Sequence, residues 1–173
     1  DKHHYNESVM EHTIRVIQNC PENLNVRLSA FFHDFGKPLV FDIQKGLHYI
    51  DHEKESAHLA QKILTQNMYD NKTIKDVKKI ILNHNLNVNS KYKWNQVFFY
   101  DGEKILNESV AFIFADKKAT RSEKSFNEFS EKFSKEIKET LEISELLNRI
   151  KNEIRGQYLL DLGLKQSSAL SLI

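Results

Sequence analysis

The chain has 173 residues, with 25 basic and 24 acidic side chains and a net charge near +1, which suits one domain with a real core. So even a charge balance excludes a global field that gathers nucleic acid or membrane. The lone Cys20 excludes a disulfide framework. No apolar run approaches the ~18 residues of a membrane span and no secretory pattern is found, so a cytoplasmic setting without a membrane partner is expected.

Five glycines and two prolines predict long helices, and the run of helical patterns along the chain points to an all-α fold. The first helix is expected from about Asn6 to Asn19, with Ser8 and Glu11 spaced as a capping box. Val9, Thr13, Val16 and Ile17 form its inner stripe, and His12 shares that face. Pro21 ends it. A second helix, about Asn25 to Phe35, buries Val26, Leu28, Ala30, Phe31 and Phe32, and His33 follows Val26 and Ala30 at helical spacing. Gly36 and Pro38 then stop the chain. Pro38 to Ile50, with apolar segments flanking Gln44-Lys45-Gly46, is a small hairpin-like excursion. A third helix is expected from His52 to Asn67. A fourth, capped by Asn71 or Thr73, aligns Ile74, Val77, Ile81 and His84.

Asn85 to Asp101 is a long connection, polar and then aromatic (Tyr92, Trp94, Phe98, Phe99, Tyr100), of the kind that forms lids or binding loops. Tyr92 and Trp94 either stack on a base or pack on the domain. A helix from Glu103 to Arg121 places Asp116 beside its apolar stripe. A charge-laced helix from Lys124 to Glu153 carries a candidate break near Thr140. The chain opens at Asp1 and stops at Leu172-Ile173 within an apolar helical pattern, which predicts a domain taken from a longer protein.

His12, the His33-Asp34 pair, His84 and Asp116 lie on inward faces of four different helices, and His52 opens a fifth. A single inward histidine is commonly a hydrogen-bonded core residue, and Asp116 alone could cap a helix or join an ion pair. Together they would need many separate buried partners, which natural cores rarely carry. One shared divalent ion satisfies them at once, since imidazole nitrogen and carboxylate oxygen suit several metals.

The order His, His-Asp, His, His, Asp resembles the HD-domain metal-dependent phosphohydrolase superfamily. Within it, the likeness is to the HD domain attached to bacterial CCA-adding enzymes (tRNA nucleotidyltransferases) and poly(A) polymerase relatives. It rests on Glu11-His12-Thr13 after His3-His4-Tyr5, HDFGKP from His33 to Pro38, GLHYIDHEKESA from Gly46 to Ala57, Leu82-Asn83-His84, Ala115-Asp116, and GQYLLDLGL from Gly156 to Leu164. Two departures stand out. A nucleotidyltransferase head with paired carboxylates and a Gly-Ser loop is missing, and the segment from Tyr92 to Tyr100 matches no family motif.

The resemblance implies an HD helical bundle over residues 1–155, with 156–173 starting a C-terminal extension. It implies that His12, His33, Asp34 and Asp116 hold a divalent ion (Mn, Ni, Co, Mg, Fe or Zn). His52 and His84 either hold a second ion with Asp34 bridging, or contact the first ligands or the substrate. Asp34 and Lys37 are the candidate catalytic residues, and Lys37 and Arg121 the candidate substrate contacts; for Arg121 a surface salt bridge is the competing role. The implied activity is phosphoester hydrolysis on a nucleotide or RNA 3′ end, of the 2′,3′-cyclic phosphate or 2′-nucleotide class, with tRNA as a candidate partner. The alternative is an idle HD module that positions tRNA. A hydrolase of cyclic dinucleotides or (p)ppGpp is a third reading; the (p)ppGpp enzymes follow His-Asp with acids, which Phe35-Gly36-Lys37 does not match.

Overall fold

The computed structural model describes residues 8–40, 49–86 and 90–153. The hairpin-like excursion and the C-terminal extension fall largely or wholly outside them. The described residues are all-α: α1 (Val9–Asn19), α2 (Leu24–Phe32), α3 (His52–Gln66), α4 (Asn71–Asn83), α5 (Lys91–Gln96), α6 (Glu103–Thr120) and α7 (Glu123–Glu153). A 3₁₀ turn, Lys37–Leu39, follows α2, and a π-helical turn, Val97–Asp101, follows α5.

Side-chain caps start α1, α2 and α4. The Ser8 hydroxyl accepts from the Glu11 backbone N–H at 3.2 Å, and the Glu11 carboxylate accepts from the Ser8 N–H at 2.9 Å. Both ends of the capping box therefore satisfy orphan donors. Asn23 caps α2 by accepting from the Val26 N–H at 3.1 Å. The cap of α4 is Asp70, not Asn71 or Thr73; its carboxylate accepts from the Thr73 N–H at 2.9 Å and from the Thr73 hydroxyl at 2.6 Å. That hydrogen bonding holds the Asp70 carboxyl below its usual range. Before α6, Gly102 takes φ +88°, a left-handed value that favours glycine.

The apolar residues form three clusters. Val16, Cys20, Val26, Ala30, Ile80, Phe112 and Ala115 join α1, α2, α4 and α6. Phe32, Ala57, Ala60, Leu64, Ile74, Val77 and Ile81 join α2, α3 and α4. Trp94, Val97, Phe98, Ile105, Leu106, Ile113, Phe129, Phe133 and Ile137 tie α5 and α6 to α7. Burial pushes the Cys20 thiol up to about 11, as expected of an inert core cysteine.

The third cluster corrects the expectation of an open connection. The stretch before Asp101 contains α5 and the π turn, and Trp94 is fully buried with its ring 5.6 Å from Phe133. Tyr92 and Tyr100 stay exposed. Other details differ as well. Val9 is half exposed in the first turn of α1. α2 ends at Phe32, where the chain turns through residues 33–36, so Phe31 is left at the surface against Phe32 and Phe35. α7 is continuous through Thr140, whose hydroxyl donates to the Glu136 carbonyl at 2.9 Å inside the helix. Among the described residues no helix is long and apolar enough to cross a membrane.

Candidate metal centre

Helix ends converge on one buried spot. His12 comes from α1 and Asp116 from α6. His33 and His84 are the C-terminal caps of α2 and α4, Asp34 follows in the turn, and His52 is the first residue of α3. All are buried. Helix ends leave backbone carbonyls without intrahelical partners, and the rings use them. His33 Nδ1 donates to the Ala30 carbonyl at 2.8 Å and His84 Nδ1 to the Ile81 carbonyl at 2.6 Å. His52 Nδ1 does the same to the Tyr49 carbonyl at 2.7 Å.

A carbonyl only accepts, so in each ring the proton sits on Nδ1 and a neutral ring offers Nε2 as a bare lone pair. Ring Nε2 atoms face one another in pairs. His52 Nε2 and His84 Nε2 are 3.0 Å apart, and His12 Nε2 and His33 Nε2 are 3.3 Å apart. The acids complete the convergence: Asp116 Oδ1 lies 3.2 Å from His12 Nε2, and Asp34 Oδ2 lies 3.2 Å from His33 Nε2. Asp34 Oδ1 points to the other pair, 3.5 Å from His52 Nε2. The donors thus sort into two triads, His12–His33–Asp116 and Asp34–His52–His84, each with its ligand atoms within 4.8 Å of one another.

Acceptors aimed at acceptors are satisfied only by a proton or a metal cation between them. Ring tautomers fixed by backbone carbonyls are how protein metal sites orient their histidines. The donor set of imidazoles and carboxylates therefore fits a divalent ion.

The electrostatics agree. Burial acts to raise the Asp34 carboxyl, but the His33 ring and Lys37 outweigh it and hold it well below the carboxylate range. Burial likewise opposes ionisation of Asp116, and the His12 hydrogen bond and Lys117 overcome it. Burial lowers His33, yet its hydrogen bond to Asp34 and the acids' charge leave it raised. His84 goes the other way, pushed down to about 3 by burial and by the charge of His33. The centre thus draws His33 toward its charged form and His84 toward its neutral one.

Every candidate site residue lines one cavity of about 320 Å³: the six of the triads, Lys37 and Arg121. Lys37 Nζ is 2.8 Å from Asp34 Oδ2, and the Arg121 guanidinium lies 4.6 Å over the Phe129 ring. The sequence reading missed Asn85, Lys117 and Thr120, which share this lining. Lys117 had a signal, its position next to Asp116, which its amine meets at 2.7 Å. Asn85 donates to Glu53 at 3.1 Å, a contact with no local sequence signature.

Gly36 has a positional role beyond stopping a helix. Its N–H donates to Ser56 Oγ at 2.8 Å, and a Cβ there would run into the His52 carbonyl and the Ser56 nitrogen. Its φ of −77° is ordinary, so what glycine supplies is space. The turn bearing His33 and Asp34 is thereby seated on the first turn of α3, which bears His52.

A family model described as HD domain matches residues 9–121, the span from α1 to the end of α6 that contains both triads. The chain belongs to the HD domain family. That membership places it in a superfamily of metal-dependent hydrolases. The HD chain is also similar to a CC-adding tRNA nucleotidyltransferase from Thermus thermophilus, 29% identical over 119 residues, covering 64% of this chain and 27% of that protein. The chain thus spans about a quarter of the length of that relative. No solved structure matches it.

Proposed function

We propose that this HD domain is a metal-dependent phosphohydrolase acting on phosphomonoesters or phosphodiesters of nucleotides or RNA ends, with 2′,3′-cyclic phosphates and 2′-nucleotides as the substrate class. The observation that carries it is the convergence of imidazole lone pairs and carboxylates on a cavity with basic walls. His12, His33 and Asp116 would hold one divalent ion and Asp34, His52 and His84 another. Bound there, a divalent ion acidifies water and polarises a phosphoryl oxygen.

The chain's own residues do the positioning. Asp34, kept ionised, presents one oxygen to each triad and accepts a hydrogen bond that orients the attacking water. The water oxygen forms the new P–O bond, the ester P–O bond breaks, and the proton ends on the leaving alkoxide. Lys37 and Arg121 bind the substrate. Positioning and charge are the main requirements of phosphoryl transfer. We read residues 1–155 as the hydrolase unit, 156–173 as the start of an extension, and the setting as cytoplasmic.

The test is phosphate release from a panel of 2′,3′-cyclic nucleotides, 2′-nucleotides and nucleoside monophosphates with Mn²⁺, Ni²⁺, Co²⁺, Mg²⁺, Fe²⁺ or Zn²⁺, beside His33→Ala. Turnover by wild type alone is expected. Inactivity of wild type with every pair, or equal activity of His33→Ala, sinks the reading.

A second reading is an HD module that helps position tRNA without chemistry. What favours it is the likeness to a tRNA nucleotidyltransferase of which this chain spans 27%. It predicts tRNA binding with no turnover, and no tightly held transition ion in elemental analysis.

A further inference from the structure

We infer that Arg121, laid on the face of Phe129, is the receptor for a second anionic group of the substrate, a phosphate next to the one that is hydrolysed. The inference rests on the reading that this cavity takes a phosphoester, and it assigns a task that neither triad nor Lys37 performs.

Basic side chains on the cavity are Lys37, Lys117 and Arg121. Two of them have their charge engaged: Lys37 on Asp34 at 2.8 Å and Lys117 on Asp116 at 2.7 Å. Arg121 differs. Among the described residues, no carboxylate oxygen lies within 4.0 Å of its guanidinium, and its contact is the uncharged ring of Phe129. An aromatic face holds a guanidinium in place without neutralising it, and leaves the N–H edge pointing outward in the fork that suits phosphate. The platform is itself fixed. Phe129 is buried, stacked on Phe133 at 5.1 Å and set against Phe114 at 6.0 Å.

Depth says which anion Arg121 meets. Along this wall Asp116 is buried, Lys117 and Thr120 are half-buried, and Arg121, just past the end of α6, is exposed. The triads lie at the floor and Arg121 at the rim. A phosphoryl group at the floor is met by the triads and the lysines; the group that reaches Arg121 lies farther out on the same molecule. The required chemistry is a phosphate on the far side of the sugar. It is supplied either by a mononucleotide carrying a 5′-phosphate or by the neighbouring phosphodiester of an oligonucleotide end.

Three probes separate the cases: a nucleoside 2′,3′-cyclic phosphate, its 5′-phosphorylated form, and a dinucleotide ending in the same cyclic phosphate. For Arg121→Met the loss in kcat/KM on probes with a second phosphate should exceed that on the first by about tenfold, the scale of one charge-assisted hydrogen bond, and act through KM. Phe129→Leu should give the same pattern more weakly, and Arg121→Lys should recover part of it. A loss confined to the dinucleotide identifies the oligonucleotide source. Equal losses on all probes, or none, overturn the inference.

Binding tests it independently of turnover, using a fluorescent trinucleotide with a terminal 3′-phosphate and the Mn²⁺-loaded protein. Removing Arg121 should weaken binding and lower the salt slope by about 0.7, the value of one phosphate contact on a single strand. That result with an inactive wild type would retire the hydrolase reading and keep Arg121 as the receptor. Unchanged binding and slope beside an active wild type would retire the receptor and keep the hydrolase.

Discussion

The same helices build two buried polar clusters with opposite chemistry. α2, α4 and α6 supply Asn25, Asp76 and Glu108 to one, and their C-terminal ends supply His33, His84 and Asp116 to the other. On each helix the two positions are eight residues apart, about 12 Å along an α-helical axis. In the first cluster every acid meets donors. Asn23 and Asn25 donate to Glu108 at 3.0 and 3.2 Å, and Lys104 reaches Asp76 at 2.6 Å. In the second, Lys37 and Lys117 reach Asp34 and Asp116 at 2.8 and 2.7 Å, but imidazole Nε2 atoms also crowd one another and the carboxylates across 3.0–3.5 Å. Burial is common to both. What separates the closed structural network from a centre compatible with a divalent cation is the convergence of imidazole nitrogens.

The sharpest way to break the comparison is to swap one residue in each cluster. Asp34→Ala, which removes the carboxylate between the triads, should cost more than about 100-fold in phosphate release, beyond the 10–100-fold typical of residues that merely support ligands. Elemental analysis should show the bound metal lost as well. Glu108→Ala should leave metal content and turnover at wild-type levels; a matching loss there would erase the distinction.

Metal addition should discriminate next. Saturating a chelated sample to 100 times its dissociation constant contributes about 2.7 kcal/mol, a rise of roughly 5–10 °C in melting temperature for a chain of this size. Glu108→Ala should keep the shift and His33→Ala should lose it, as read by scanning calorimetry.

Acid should then act on one cluster first. His84 titrates near 3 when folded, from a usual 6.5. The unfolded chain therefore takes up protons that the folded one refuses, and stability of the chelated protein falls as pH drops below about 6.5. Between pH 6.5 and 5 this amounts to roughly 2 kcal/mol, and His84→Gln should flatten it. The raised His33 works in the other direction: its contribution is complete below about 6.5 and is lost as pH rises through its folded value. The depressed Asp34 and Asp116 add stability that persists above about pH 4 and erodes below it. In the closed network the raised Lys104 should stay silent until pH passes its usual 10.5. Denaturant midpoints across the pH range check all of these.

The smallest effect is structural. Glu108→Ala leaves the Asn23 and Asn25 amides short of an acceptor and should cost about 1–3 kcal/mol in urea unfolding.

Much of this was readable from the chain because helical register is local. His33 continues the Val26 and Ala30 face, His84 continues Ile74, Val77 and Ile81, and Asp116 sits one turn beyond Phe112. The all-α class followed from the scarcity of glycine and proline and from the run of helical patterns. Features that depend on distant pairs were not readable. Trp94 lies in a short helix with polar flanks, and residues far along the chain such as Phe133 reveal it as core. The union of Lys104 with Asp76, and of Arg121 with Phe129, needs helices already packed. Asp70, Asn71 and Thr73 are all good caps by type, so the expected start of α4 at Asn71 or Thr73 fell one to three residues late.

The seat of Gly36 on Ser56 has a consequence for how the centre opens. With no room for a side chain there, and with a backbone donor fastened to α3, the His33–Asp34 turn and His52 move as one block. If that block opens only by local unfolding, ligand exchange should be slow there. The slowest amide protons around Ser56 should report the residence time of whatever the triads hold.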